Sequence, residues 1–223
     1  MMASNTLLLP FGIKNFKYSV LKELDFPTIC VMAKKSLGKT STLRKIIYYF
    51  LVTKEVDSAN VHIFKASTQE QAFGTLPQTL LTEDALNKVL KSTRNNPNKS
   101  LIVFDDVTQN ELFLRSSVAF RELLYNSRHH RCYIVIATHS FTLLKSSMRN
   151  LISIWIFPSI NNRYIRDYIK EIDPDLPKAK LEYLASLSTD KLKKRYSLLV
   201  LNTDTISDLW SVVLYKSPDL RSL

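Results

Sequence analysis

Residues 28–50, TICVMAKKSLGKTSTLRKIIYYF, contain the stretch that decides the fold. The apolar run at residues 28–32 predicts a buried strand, and apolar positions at helical spacing over residues 40–53 predict a helix. A short loop that ends in Gly-Lys-Thr at residues 38–40 connects them. This order is typical of a phosphate site, because the first turn of a helix presents unpaired N–H groups and the positive end of its dipole.

The loop supplies the candidate nucleotide contacts. Lys39 is expected to reach the β- and γ-phosphates of a nucleoside triphosphate, and the Thr40 hydroxyl is expected to ligate Mg²⁺. The other residues expected to bind the nucleotide are Ala33, Lys34, Lys35, Ser36, Leu37, Gly38 and Ser41. The alternative is a basic turn before an amphipathic helix, but in a chain with three glycines a chance Gly-Lys-[Ser/Thr] has a likelihood of about a few per cent.

Ala33 stands where the usual G-x-x-x-x-G-K-[ST] pattern has its first glycine. A left-handed conformation at this alanine would cost about 1 kcal/mol or more. Side chains at Ser36 and Leu37 also narrow the approach of the backbone to a phosphate. We expect these departures to affect nucleotide affinity more than the identity of the site.

A second informative stretch is LIVFDD at residues 101–106. Four apolar residues predict a buried strand, and two carboxylates follow at its end. Adjacent buried acids require a cation, a basic partner or an exposed position. In one interpretation Asp105 holds Mg²⁺, directly or through water, and Asp106 polarises an attacking water; in the other, the strand ends in a turn with two solvated acids. Lys39 elsewhere in the chain favours the magnesium site.

Composition and charge limit the classes to which the protein can belong. The 223 residues are 45% hydrophobic and 23% charged, which indicates one globular α/β domain. Cys30 and Cys132 lie in apolar runs and are expected to be packed thiols in a reducing compartment. The net charge of +11 predicts a polyanionic partner such as nucleic acid, although a basic surface that only maintains solubility is the alternative. No apolar run is long enough to predict a transmembrane segment.

The remaining pattern predicts a mostly parallel sheet flanked by helices, within one domain over residues 1–223. That domain divides into a lead-in at residues 1–27, a core at residues 28–160 and a C-terminal helical segment and hairpin at residues 161–223. Further strands are expected at residues 61–64, 133–137 and 151–157, helices at 82–94 and 111–127, and a closing β-hairpin at 197–202 and 209–215.

Several basic side chains are candidates for the same reaction. His139 follows the strand at residues 133–137 and is expected beside the acidic strand, where it or Thr138 could sense a γ-phosphate or position water. Arg128 and Arg149 precede strands and could act as arginine fingers on a neighbour's nucleotide. Each arginine is alternatively a surface or DNA-backbone contact, and the histidine is alternatively structural.

Taken together, five motifs resemble the genome-packaging ATPases of poxviruses, other nucleocytoplasmic large DNA viruses and virophages, within the HerA/FtsK superfamily. The motifs, in chain order, are AKKSLGKTS (33–41), LIVFDDV (101–107), NSRHHR (126–131), IVIATHS (134–140) and SMRNLIS (147–153). The strand between the phosphate loop and the acidic strand also resembles the additional-strand class of P-loop ATPases, which includes the RecA-like motors. A departure is His139, where relatives usually carry glutamine.

The resemblance implies a RecA-like sheet with ATP and Mg²⁺ as ligands. It also implies a homo-oligomeric ring, a hexamer or pentamer, that hydrolyses ATP between protomers and translocates double-stranded DNA through the packaging vertex of a preformed capsid. Lys39 and Thr40 match the phosphate-loop pair, Asp105 and Asp106 match the Walker B acids, and Arg128 matches the arginine of an arginine-histidine pair. Arg149 matches a further arginine-asparagine step. The implied location is the host cytoplasm, a viral factory or the virion, as a soluble protein.

Two rival functions belong to other classes. A nucleoside or nucleotide kinase has a similar length, but the sequence does not clearly contain an acceptor pocket or an arginine-bearing lid. A non-hydrolysing, nucleotide-dependent DNA-binding scaffold is suggested by Ala33 and the crowded loop. Phosphate transfer to a nucleoside would select the kinase, and nucleotide binding without turnover would select the scaffold.

Overall fold

A computed structural model describes residues 18–33, 38–67, 72–94, 96–107, 111–140, 142, 144–158, 166–167, 169–170, 175–179, 181–182, 197–202 and 213–216. The helices are α1 (Val20–Glu23), α2 (Lys39–Val52), α3 (Glu83–Arg94), α4 (Glu111–Ser116), α5 (Val118–Tyr125) and α6 (Ser146–Arg149), with a short 3₁₀ turn at Ser58–Asn60. The strands are β1 (Thr28–Met32), β2 (Val61–Lys65), β3 (Gln78–Leu80), β4 (Ser100–Asp105), β5 (Cys132–Thr138), β6 (Ile154–Phe157), β7 (Ser197–Asn202) and β8 (Val213–Lys216).

The strands form one sheet in the order β3-β2-β4-β5-β1-β6-β7-β8. The first six are parallel to one another, and β7 and β8 add an antiparallel hairpin against β6. The predicted α/β class, with a mostly parallel sheet and a C-terminal hairpin, is therefore confirmed. Strand β5 lies between β1 and β4, so the strand that precedes His139 is next to the strand that ends at the two acids, as the sequence predicts.

Both faces of the sheet are covered, which explains why its central strands are continuously apolar. One face packs against α2 through Leu43, Ile46, Ile47 and Phe50. The other face packs against α3 and α5, where Leu86, Leu90, Phe120 and Leu123 contribute. Successive side chains along a strand point to opposite faces of the sheet, so they alternate between contact with α2 and contact with α3 and α5.

The helix predicted at residues 111–127 is interrupted. Ser117 lies between α4 and α5, and its hydroxyl accepts a hydrogen bond from the Phe120 N–H, which caps α5. Leu112 and Val118, two of the apolar residues in this stretch, are 83% and 65% exposed. The prediction of one continuous amphipathic helix is wrong because Ser117 caps the start of a second helix, α5, which buries a different face from the one that continuous periodicity predicts.

Smaller predictions have mixed outcomes. The Thr82 hydroxyl accepts from the Ala85 N–H, so the predicted cap of α3 is confirmed. Cys30 and Cys132 are buried free thiols, and burial raises the pKa of Cys132 to about 12. Strand β3 was not predicted, and β6 begins three residues later than the predicted run. Among the described residues, no helix has the length and apolar character needed to cross a bilayer.

Candidate functional site

The site lies at the carboxyl edge of the sheet, meaning the edge at which β1, β2, β4 and β5 end. Because these strands are parallel, the segments that follow them emerge side by side. This edge holds Gly38 and Lys39 at the start of α2, the two acids at the end of β4 and His139 after β5. The strand order thus brings parts of three of the five motifs to one edge.

The junction of loop and helix has the conformation that a phosphate site needs. Gly38 is the N-cap of α2 with φ 87° and ψ 11°, a left-handed conformation that favours glycine. Its carbonyl accepts hydrogen bonds from the Thr42 N–H at 3.0 Å and the Thr42 hydroxyl at 2.9 Å. These bonds fix the first turn of α2, whose N–H groups lie at the carboxyl edge.

The expected conformational cost at Ala33 is not observed. Ala33 does not have a positive φ, and its N–H donates to the Thr138 carbonyl at 3.2 Å, which continues the ladder between β1 and β5. The left-handed conformation considered for this alanine is therefore wrong. The predicted nucleotide contacts Lys34, Lys35, Ser36 and Leu37 lie outside the described residues.

Lys39 begins α2, is only 8% exposed and donates from Nζ to the Ala33 carbonyl at 3.0 Å. Burial lowers the pKa of its amine below the ordinary value, while the carboxylates of Asp106 and Asp105 act in the opposite direction. Both acids are thus near enough to Lys39 to influence the pKa of its amine. Thr40 and Ser41 follow in the same turn, half-buried and exposed respectively.

Asp105 is 5% exposed and ends β4. Leu101 and Val103, four and two residues earlier, pack in the cluster that includes α2, so alternation places Asp105 on the α2 side of the sheet. Its carboxylate and the Thr40 hydroxyl are hard oxygen donors suited to Mg²⁺. The described residues contain no group of three or more His, Cys, Asp or Glu side chains able to hold a metal.

Asp106 and His139 form a pair across the ends of β4 and β5. The distance from Asp106 Oδ1 to His139 Nδ1 is 3.2 Å, and the side chains are 49% and 40% exposed. Asp106 has φ 49°, an uncommon conformation for a non-glycine residue that is typical of constrained sites. The turn carrying His139 is fixed because the Ser140 N–H donates to the Thr138 hydroxyl at 3.1 Å. This arrangement holds one carboxylate at the solvent side of the site.

Lys65 is a residue at this edge that the sequence did not indicate. It ends β2, is 6% exposed and is the register partner of Asp105 on β4. Val61 and Ile63 on the same strand pack in the α2 cluster, so Lys65 shares that side of the sheet with Asp105. Its Nζ donates to Gln78 Oε1 at 3.3 Å. A second buried amine therefore accompanies the acids.

Of the two candidate arginines, Arg128 lies at the opposite edge of the sheet from Lys39. Arg128 precedes β5 and pairs from Nε with Asp25 Oδ2 at 3.6 Å, with both side chains 68% exposed. Strand β5 has seven residues, so this position is about 20 Å from the carboxyl edge of the same chain. Arg149 ends α6, in the crossover from β5 to β6, and its Nη1 donates to the Leu144 carbonyl at 2.8 Å. Neither geometry assigns an arginine to this chain's own phosphate loop.

Comparison with solved structures identifies viral packaging proteins of the same fold. The genome packaging NTPase B204 from Sulfolobus turreted icosahedral virus 2, in complex with ATP-gammaS, superposes with a TM-score of 0.62 at 13% sequence identity, over 87% of this chain and 98% of that one. B204, the DNA-packaging ATPase from Sulfolobus turreted icosahedral virus, gives a TM-score of 0.61 at 12% identity, over 87% and 100% of the two chains. The sulfate complex of the first protein gives 0.59 at 14% identity, over 88% and 98%.

No protein-family model and no curated protein sequence matches the chain. The structural likeness nevertheless covers nearly the full length of both proteins. The chain therefore has the α/β P-loop NTPase fold of these packaging proteins. At identities this low, the likeness extends to the fold and not to particular residues.

Proposed function

We propose that this protein is an ATP-hydrolysing motor that moves double-stranded DNA into a preformed viral capsid. The observation that carries the proposal is the strand order, which puts the end of β1, the start of α2 at Lys39 and the end of β4 at Asp105 on the same edge of the sheet. The fold shared with B204, a packaging NTPase, supports the same conclusion. The expected ligands are ATP and Mg²⁺, and the proposed location is the host cytoplasm, a viral factory or the virion.

The phosphates of ATP would bind at the first turn of α2. Its N–H groups and dipole favour negative charge, and Lys39 would exchange its bond to the Ala33 carbonyl for a contact with the β- and γ-phosphates. Thr40 and Asp105 would hold Mg²⁺, which supplies charge neutralisation on the phosphate oxygens. Ser41, exposed in the same turn, would contact the α-phosphate side.

Asp106 is proposed to orient the attacking water and accept its proton. Its contact with His139 Nδ1 fixes the direction of the carboxylate, which is a requirement for in-line attack. Lys39 and a neighbour's arginine would stabilise the charge that develops on the transferred phosphoryl group. His139 is placed to respond to the γ-phosphate, because it contacts the residue that aims the water.

The proposed arginine would act between protomers of a homo-oligomeric ring, a hexamer or pentamer. Arg128 is supported for this role because it lies far from its own phosphate loop and on the surface; Arg149 is the alternative. Mixing Lys39→Ala protomers, which retain their arginines, with Arg128→Ala protomers, which retain their phosphate loops, should restore part of the ATPase rate. No recovery in mixed rings would contradict a role for Arg128 in trans.

The DNA would be held mostly through its phosphates, since a motor must advance along any sequence and the net charge is +11. The central experiment measures the ATPase rate of the wild type and Lys39→Ala, with and without duplex DNA, across a salt series. We expect stimulation by DNA that weakens as salt rises, and particle images that show rings. ATP turnover unaffected by duplex DNA at every salt concentration would contradict the motor, and ATP binding without turnover would select the scaffold.

A further inference from the structure

Lys65 is a buried cation at the carboxyl edge that the proposed mechanism does not use. It ends β2 and is only 6% exposed. Its Nζ donates to Gln78 Oε1 at 3.3 Å, so a side chain from β3 holds the amine at this edge. An amide oxygen carries no formal charge, and a buried ammonium group is stabilised chiefly by negative charge nearby. The groups beside Lys65 therefore decide what its charge does.

Asp105 is the carboxylate on the strand next to Lys65. The two residues are register partners in the parallel pair of β2 and β4, and neighbouring strands lie about 4.8 Å apart. Both side chains are on the α2 side of the sheet, because Ile63 and Val103, two residues earlier on their strands, pack in the cluster that includes α2. Asp105 is 5% exposed. Two buried groups of opposite charge thus lie on one face of adjacent strands.

The charges of the two lysines and two aspartates at this edge balance. Lys39 and Lys65 carry two positive charges, against two negative charges on Asp105 and Asp106. Both aspartates raise the pKa of the Lys39 amine against the effect of burial, so this lysine also interacts with them. Carboxylate sites bind divalent cations more tightly as their net negative charge increases. A site whose carboxylates are already balanced by amines therefore holds a divalent cation weakly.

We infer that Lys65 is the counter-charge of Asp105 in the nucleotide-free protein and keeps divalent cations out of this site until a triphosphate arrives. The inference rests on the proposed function for the identity of the ligands, ATP and Mg²⁺. The phosphates bring several negative charges to the N-terminus of α2, which reverses the balance and allows Mg²⁺ to enter with them. Lys65 thereby couples occupation of the metal site to the arrival of the nucleotide.

The test measures Mn²⁺ binding to the nucleotide-free protein by electron paramagnetic resonance, with Mn²⁺ as a paramagnetic substitute for Mg²⁺. The wild type should bind Mn²⁺ weakly. Lys65→Met should bind it at least about tenfold more tightly, because a positive charge on the strand next to Asp105 is removed. Lys65→Arg keeps the charge and should retain the weak binding of the wild type.

Two further variants locate the effect. Adding Asp105→Asn to Lys65→Met should remove the gain in Mn²⁺ affinity, because it removes the carboxylate that holds the ion. Lys88→Met is the matched control, since Lys88 is exposed on α3, which packs on the opposite face of the sheet, and it should leave Mn²⁺ affinity unchanged. Melting temperatures establish that each variant is folded, and Lys65→Gln replaces Lys65→Met if the methionine variant unfolds.

The outcomes separate this inference from the proposed function. Unchanged Mn²⁺ affinity in folded Lys65→Met or Lys65→Gln would overturn the inference, as would a gain that persists after Asp105→Asn is added. ATP added to the wild type should convert Mn·ATP into a protein-bound form with a changed spectrum. Absence of that form, together with the gain in Lys65→Met, would refute nucleotide binding and leave the charge relation between Lys65 and Asp105 standing.

Discussion

The two edges of the sheet both carry charged clusters, but the clusters are built differently. At the amino edge, Glu55 is paired with Lys99, with Lys22 at 3.3 Å, and with the Tyr133 hydroxyl at 2.8 Å. Its side chain is only 12% exposed. At the carboxyl edge, the charged groups emerge from the ends of three parallel strands and the start of a helix.

The difference distinguishes a cluster that we expect to stabilise the fold from the cluster that we propose to serve chemistry. The amino-edge groups come from segments that are brought together by the sheet and satisfy one another, so each hydrogen bond holds the structure. The carboxyl-edge groups surround a helix N-terminus, include a residue at φ 49°, and hold Lys39 on a backbone carbonyl that a phosphate could replace. We expect substitutions at the two edges to separate stability from turnover.

The largest effect is expected for Lys39→Ala. Because the amine would contact the phosphates in the bound state and in the transition state, kcat/KM for ATP should fall by about 10³-fold or more. Steady-state ATPase assays measure this, and Lys45→Ala on the same helix is the control. Robust hydrolysis by Lys39→Ala would contradict the assignment of the phosphate loop.

Asp106→Asn should reduce kcat about 10²-fold while ATP still binds, because the amide cannot accept the proton of the attacking water. Single-turnover hydrolysis together with equilibrium ATP binding distinguishes the two steps. His139→Ala should lower kcat less, since it removes only the contact that orients the carboxylate. Loss of ATP binding in Asp106→Asn would show that this acid acts in binding and not in the chemical step.

Glu55→Gln tests the amino edge. Burial opposes ionisation of this carboxyl, but hydrogen bonds from Lys99, Tyr133 and Lys22 outweigh it and hold the pKa below its usual range. Losing the charge should reduce the free energy of unfolding by about 1–3 kcal/mol at pH 7 and leave ATP turnover per folded molecule unchanged. Urea melts measure the first quantity, with the exposed Glu23→Gln as control.

The same carboxyl has a defined pH dependence. Because the pKa of Glu55 is lower in the folded state, its stabilisation is fully present above the unfolded value, about 4.3, and is lost as the pH falls through the folded value. The stability difference between wild type and Glu55→Gln should therefore shrink in acid. A difference that stays constant down to pH 2 would refute the charge as its cause.

The smallest expected effect is a loss of tripolyphosphate affinity at alkaline pH. Burial lowers the pKa of Lys39, so as the pH rises its positive charge is lost at a lower pH than that of an ordinary lysine, whose pKa is about 10.4. Affinity should therefore fall with rising pH, with a midpoint below that value. Asp105→Asn removes a carboxylate that raises this pKa, so the fall should move to still lower pH. Affinity titrations against pH without Mg²⁺ measure the contribution of the Lys39 amine alone. An unchanged midpoint pH in Asp105→Asn would contradict the electrostatic coupling between Asp105 and Lys39.

Much of the fold was predictable from the sequence, because apolar runs mark its central strands and a glycine-bearing loop marks the start of α2. Apolar runs located β1, β4 and β5, and the position of the acids and His139 at strand ends placed them at one edge. The break at Ser117 was not predictable from periodicity, since apolar residues on both sides keep helical spacing. Strand β3 was missed because Gln78–Leu80 has only three residues, two of them exposed, and so contains no buried apolar run.

The candidate site was predictable where residues belong to a motif, and not where they are assembled by strand pairing. Lys65 carries no local pattern, and only its register with Asp105 places it at the carboxyl edge. Similarly, the sequence shows that Arg128 precedes a strand, but its distance from the phosphate loop depends on the direction of β5, which a motif does not contain.

The backbone at Asp106 limits which residues can occupy that position. A φ of 49° is accessible to glycine, asparagine and aspartate at low cost, and is unfavourable for β-branched or bulky side chains. A library randomised at this codon and screened for folding should therefore retain those three residue types. Screening the survivors for turnover should leave aspartate, so conformational tolerance and proton chemistry would act as two successive filters on one side chain.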